Sequence, residues 1–200
     1  MRTITRLLIV AAGLVAVAAA GEAGAGPVDA RGYTKAFACS ACHGFGGASR
    51  ADAMPILAGM WPEYFRKTIQ DYAAGRRPSP EMEPFAKMVV AAGLDDVAAY
   101  FASQPFVPAA APTDAAAVAR GQAAAARCRT CHGSAGQGDR ARVIPPLRGQ
   151  PAGYLRQQIL LFKQDARSPG DAALREMKAI MRDVPDATAA DLAAYYSSLR

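Results

Sequence analysis

In the last stretch of the chain Leu192, Tyr195, Tyr196 and Leu199 recur at spacings of three and four, the period of a helix with one buried face. Val97, Tyr100 and Phe101 repeat that stripe near the middle of the sequence. The pattern predicts a closing helix over 186–199, set off by Asp183-Val184-Pro185-Asp186, with the aromatics packed against an earlier helix. Pro62, with Glu63 in the first turn, opens a helix over about 62–74 that stops before Gly75, and a partner runs from Ala152 to Lys163. Alanine-rich segments from Tyr33 to Cys39 and from Ala116 to Cys128 read as short helices. Gly32 and Gly121 stand where such helices can cross the aromatic ones closely. No alternation of strand length appears, so the chain is expected to be all-α.

The elements come in two copies. Arg31-Gly32 and Arg120-Gly121 each precede a Cys-x-x-Cys-His run, Cys39 to His43 and Cys128 to His132, followed by Gly44 and Gly133. Pro55-Ile56-Leu57-Ala58-Gly59 matches Pro145-Pro146-Leu147-Arg148-Gly149, with Tyr64 and Tyr154 each five residues beyond the glycine. Val97-Ala98-Ala99-Tyr100-Phe101 matches Leu192-Ala193-Ala194-Tyr195-Tyr196. The offset grows from 89 at the cysteines to 90 at the tyrosines and 95 at this last match, so the second unit carries an extra loop of about five residues, expected around Ser168-Pro169-Gly170. Pro105, Pro108 and Pro112 stop helix formation between the copies. Two domains are expected at 28–104 and 116–200, joined by a Pro/Ala-rich linker at 105–115.

Ahead of the first unit, Arg2 and Arg6, the apolar run Leu7 to Ala20 and the Ala23-Gly24-Ala25 site read as an export signal over residues 1–25; a cut after Ala20 fits the sequence as well. The competing reading is an uncleaved anchor, although the run falls short of the roughly 20 apolar residues a spanning helix needs. Export predicts a soluble protein outside the cytoplasm. The formal charge of +6 becomes +5 after cleavage, since Arg2, Arg6 and Glu22 leave, and all of the excess lies in the second half. Residues 26–110 hold eight basic and eight acidic side chains, residues 111–200 thirteen and eight. That asymmetry suits steering toward an acidic protein partner. Dispersed charge without a binding module argues against nucleic acid.

The four cysteines and two histidines of the chain all lie in the two Cys-x-x-Cys-His motifs. In that spacing two thiols can form thioethers with haem vinyl groups while the adjacent histidine binds iron, which predicts two covalently attached haem c groups. A disulfide or dithiol pair is the alternative for either motif alone, and zinc would need both motifs brought together. With His43 and His132 used, no histidine remains for a sixth position, and methionine is the natural donor. Met82 lies 18 residues before Tyr100 and Met177 lies 18 before Tyr195, a register that no other pair keeps. Met88 and Met181 read instead as packing residues, as do Met54 and Met60. Pro55 and Pro145 stand twelve and thirteen residues past their histidines, where a carbonyl could accept the Nδ1 proton; the alternative is that each merely turns the chain.

Together these residues resemble the cytochrome c4 family, two-domain members of the class I cytochromes c. The resemblance rests on C-x-x-C-H-G twice, P-x-L-x-G with its following tyrosine, methionine before a terminal helix, and Ala98-Ala99-Tyr100-Phe101-Ala102-Ser103-Gln104. It implies tandem helical domains, each wrapped around one haem, with Cys39, Cys42, His43 and Met82 holding the first and Cys128, Cys131, His132 and Met177 the second. It further implies a periplasmic shuttle of single electrons toward partners such as a terminal oxidase, a membrane donor or a dehydrogenase, without catalysis or a small-molecule substrate, and with peripheral membrane association allowed. The alternative is a cytochrome subunit dedicated to one periplasmic flavodehydrogenase, which has the same architecture. Arg76-Arg77-Pro78-Ser79-Pro80 and Val89-Val90-Ala91-Ala92 depart from the family's usual pattern around the first methionine loop.

Overall fold

The computed structural model describes residue 28, residues 30–109 and residues 114–200. The expected export signal lies outside them, as do residues 110–113 of the expected linker. The helices are α1 (Tyr33–Ala36), α2 (Ser40–His43), α3 (Pro62–Ala73), α4 (Met82–Ser103), α5 (Ala115–Ala124), α6 (Ala126–His132), α7 (Ala152–Lys163), α8 (Arg175–Arg182) and α9 (Asp186–Ser198). Short 3-10 turns join some of them. Beta structure among the described residues is limited to an isolated bridge between Asp139 and Ile144.

The long helices start and stop where the sequence signals lie. Pro62 occupies the first turn of α3, and Gly75 follows its end at φ 70°. Asp114 caps α5 by accepting from the Ala116 N–H at 2.8 Å. The helices leading into the motifs differ from expectation. The segment after Tyr33 passes through a 3-10 turn, Phe37–Cys39, before α2. In the second unit the wholly buried Ala125 adopts φ −75°, ψ 1°, which ends α5 and starts α6 in a new direction. The second motif therefore lies wholly on α6, while the first begins with Cys39 in the 3-10 turn and continues on α2; Gly44 at φ 75° and Gly133 at φ 79° stop them.

Two apolar clusters form the core. In the first, Ala36, Met60, Phe65, Ile69, Val89, Val97, Tyr100 and Phe101 are buried together, with the Phe65 and Phe101 rings 5.5 Å apart. In the second, Ala125, Leu155, Leu192, Ala193, Tyr195 and Tyr196 are buried, with the two tyrosine rings at 5.0 Å. Burying each such aromatic stabilises by roughly 1.5–3 kcal/mol. The predicted close crossings are present. A Cβ on Gly32 would stand 2.3 Å from the Asp96 carbonyl oxygen, and one on Gly121 would stand 2.0 Å from that of Asp191. The preceding arginines tie the same joints, Arg31 to Asp96 at 3.2 Å and Arg120 to Asp191 through two contacts at 2.9 and 2.8 Å.

The units diverge between methionine and aromatic stripe. In the first, α4 continues from Met82 to Ser103 with a kink at Gly93, whose φ of 121° is open only to glycine. In the second, Asp183 to Pro185 separate α8 from α9. Ahead of Met177, in the stretch where the extra loop is expected, Lys178 Nζ donates to Asp165 Oδ1 at 2.6 Å and to the Ser168 carbonyl.

Candidate haem centres and the seam between them

After each motif the chain turns back under it. Leu57 and Ala58 donate to the Gly47 carbonyl at 2.9 and 3.2 Å, and Leu147 and Arg148 donate to that of Gly136 at 2.8 and 3.1 Å. These paired bonds bring the preceding proline carbonyls to the histidine rings. His43 Nδ1 lies 2.9 Å from Pro55 O, and His132 Nδ1 lies 3.0 Å from Pro145 O. A carbonyl can only accept, so each ring proton sits on Nδ1 and the lone pair on Nε2. His43 is buried and its Nε2 has no hydrogen-bond partner. Burial pushes the pKa of both rings down, partly opposed by the proline carbonyls, which favours the neutral form.

An orphaned, buried imidazole lone pair calls for a partner, and a metal ion is the partner that leaves the ring neutral. Cys42, Cys128 and Cys131 stand on the same short helices as the histidines, and Cys39 closes the 3-10 turn just before α2. Cys39 packs against the first core cluster and Cys128 against the second, and burial raises the pKa of each. All four cysteines are unpaired. Among the described residues no group of three or more His, Cys, Asp and Glu side chains is placed to hold a metal ion, so the protein offers no zinc cage. The donors thus fit a group that brings its own equatorial ligands, as haem c does. Met82 opens α4, half-buried against the same cluster as Cys39. Met177 is half-buried on α8, which packs on α7. Met60 is buried in the first core cluster, and Met88 is exposed.

The sequence profile of the family described as Cytochrome c matches residues 118–200. Cytochrome c4 of Pseudomonas aeruginosa is 33% identical over 96% of each chain. The chain belongs to the cytochrome c4 family. A thiosulfate dehydrogenase electron acceptor of Stutzerimonas stutzeri is 34% identical, over 82% of this chain and 80% of its own. Among solved structures, that of reduced recombinant cytochrome c4 from Pseudomonas stutzeri superimposes with a TM-score of 0.75 at 29% identity, covering 84% of this chain and 97% of that one. Membership in the cytochrome c4 family makes this an electron-transfer cytochrome of class I fold with covalently held haem c, and not an enzyme.

The two halves meet along a seam of arginines and aromatic rings. Arg77 donates to Tyr154 Oη at 3.2 Å and to Gln158 Oε1 at 3.0 Å, with its guanidinium 4.5 Å over its own Tyr72 ring. Arg167 mirrors it. It donates to Tyr64 Oη at 3.2 Å and to Gln158 at 2.6 Å, and lies 4.3 Å over the Phe162 ring. Tyr64 and Tyr154, Tyr72 and Phe162, and Arg77 and Arg167 are all 90 residues apart, so the seam is a pseudo-twofold contact. The repeat register was the available signal, and extending it past the tyrosines to Arg77 finds both arginines. Burial raises the Tyr64 phenol, but the two guanidiniums outweigh it and bring the group down to about 8. Every acceptor named for the arginine side chains is neutral, and Arg167 Nε is buried without a partner. A positive seam of this kind suits a group that carries carboxylates, as haem does.

The loops after the motifs complete the contact. Asp52, from the first half, accepts the Gly153 N–H on its side chain and the Tyr154 N–H on its carbonyl, both at 2.8 Å, and so caps α7, which begins after a proline that cannot cap it. Arg140, from the second, grips Glu63 in the first turn of α3 at 3.0 and 3.1 Å.

Proposed function

We propose that this protein is an exported carrier of two haem c groups that passes single electrons between partner proteins in the periplasm. The observation that carries this is the duplicated arrangement of thiol pair, buried imidazole and proline carbonyl, one set in each half. Cys39 and Cys42 would hold one haem as thioethers, with His43 and Met82 on its iron. Cys128, Cys131, His132 and Met177 would do the same for the other. When bound, haem c supplies the one-electron iron couple. The chain's own residues then have three tasks. His43 and His132 stay neutral and oriented through their proline carbonyls. The aromatic clusters exclude water, and the seam holds the two centres in a fixed relation.

The surfaces beside the two motifs differ in character. Phe37 and Phe45 are exposed on either side of the first and flank Tyr33 at 5.8 and 6.3 Å. Their counterparts in the second, Ala126 and Ser134, leave Arg127 and Arg129 as the larger groups there. An apolar contact at one end and a cationic one at the other supports input and output partners of different chemistry. Service to a single dehydrogenase is the second reading, favoured by the likeness to a thiosulfate dehydrogenase electron acceptor.

The test is a reductive titration of the exported protein together with its intact mass. Two electrons taken up per chain, in a product that starts after Ala20 or Ala25 and carries two haem masses, is the expected result. One electron per chain, or a retained leader, would overturn the reading.

A further inference from the structure

The peptide unit that orients His43 is gripped from the other half of the molecule. Pro55 O, which accepts the ring proton, and Ile56 N–H belong to one peptide bond, and that N–H donates to Gln150 Oε1 at 2.9 Å. Gln150 Nε2 in turn donates to the Ile56 carbonyl at 2.9 Å, so one side-chain amide closes both polar groups of Ile56. Gln150 is 3% exposed and Ile56 wholly buried, which leaves no water to share these bonds. Among the described residues nothing equivalent stands around His132. In the 90-residue register Gln150 corresponds to Met60 and Ile56 to Pro146, so the second half lacks both the amide and the N–H.

Hydrogen bonds in series polarise one another, most strongly where the surroundings are dry. An acceptor on the Ile56 N–H makes Pro55 O more negative, which draws the Nδ1 proton and enriches the lone pair on His43 Nε2. We propose that Gln150 is a positioning residue through which the second half sets the electron-donating strength of His43 in the first, making the two otherwise similar centres unequal. The inference rests on His43 being an iron ligand. A richer imidazole favours ferric iron, so the relay holds the first haem at a lower potential than it would have without Gln150. It also makes that potential depend on the halves staying docked.

The test uses the holoprotein with Gln150→Met, which installs the side chain found at the matching position of the first half. A second variant, Ile56→Pro, reproduces the Pro145-Pro146 sequence of the second half and removes the N–H together with the buried isoleucine side chain, while the carbonyl that accepts from Gln150 stays. Potentiometry would follow each haem, assigned by its NMR contacts with residues of its own half. The Ile56 amide resonance in Gln150→Met, and ENDOR coupling to histidine nitrogen in the wild type, complete the set. Expected are a positive shift of the first haem's potential in both variants, the second haem unmoved, and an Ile56 amide shifted and exchanging faster. A first-haem potential that stays in place, or a larger shift at the second haem, beside which Gln150 is anchored by its own N–H to the Leu147 carbonyl, would overturn the relay. Absent histidine coupling in the wild type would instead overturn the ligand assignment, so the two failures are distinguishable.

Discussion

At Asp71 a buried carboxylate sits between two cations, with Lys67 Nζ at 2.5 Å and Arg76 Nε at 2.9 Å. Burial alone would raise its pKa, and the two cations more than reverse that, leaving it below the ordinary value of 3.8. A carboxyl whose folded pKa is depressed stabilises the fold above its unfolded pKa and loses that contribution as pH falls through the folded one. Asp71→Asn should therefore cost about 1–2 kcal/mol near pH 7, the scale of charge-assisted hydrogen bonds to a mostly buried group. It should also flatten the loss of stability below about pH 4. Denaturant midpoints of wild type and variant from pH 2 to 7 check this. Curves that stay parallel across the range would show that Asp71 has no part in acid unfolding. His43 and Ile56 show the same principle in a neutral setting, since what each polar atom touches decides its chemistry.

Among the elements, the crossings of α1 on α4 and α5 on α9 depend on a missing side chain. Gly121 has ordinary helical backbone, so alanine there would by itself favour the helix by roughly 1 kcal/mol. The contact of 2.0 Å with a backbone carbonyl decides the sign the other way, because Asp191 O belongs to α9 and cannot rotate aside. Gly121→Ala is expected to lose about 1–3 kcal/mol net, the usual cost of overpacking, in an equilibrium unfolding measurement. These joints were legible, because a glycine fixed before a motif and an aromatic stripe at helical spacing are local signals. So were the bounds of α3, which Pro62 and Gly75 punctuate, and the start of α7 after Pro151. The break at Ala125 was not, since an alanine inside an alanine-rich run carries no local mark and burial alone sets its conformation. Nor was the tie from Gln150 to Ile56, which spans 94 residues and falls at positions where the two copies differ.

The whole molecule is a pair of helical halves that complete one another. Asp52 caps a helix of the opposite half, and the arginine seam satisfies both sides at once, so relative motion of the halves would unpair buried polar groups on each side. Phe37 and Phe45 beside the first motif are exposed, and the basic excess lies in the second half. No described helix is long and apolar enough to cross a membrane. The central claim is that both irons are closed by histidine and methionine, which leaves electron transfer as the only chemistry open to them. It is tested most directly by the near-infrared spectrum of the oxidised holoprotein, read against a quantitative haem assay. Two haems per chain with the methionine-to-iron band at full two-site intensity is the predicted result. A half-strength or missing band, with high-spin iron that takes up carbon monoxide once reduced, would contradict it.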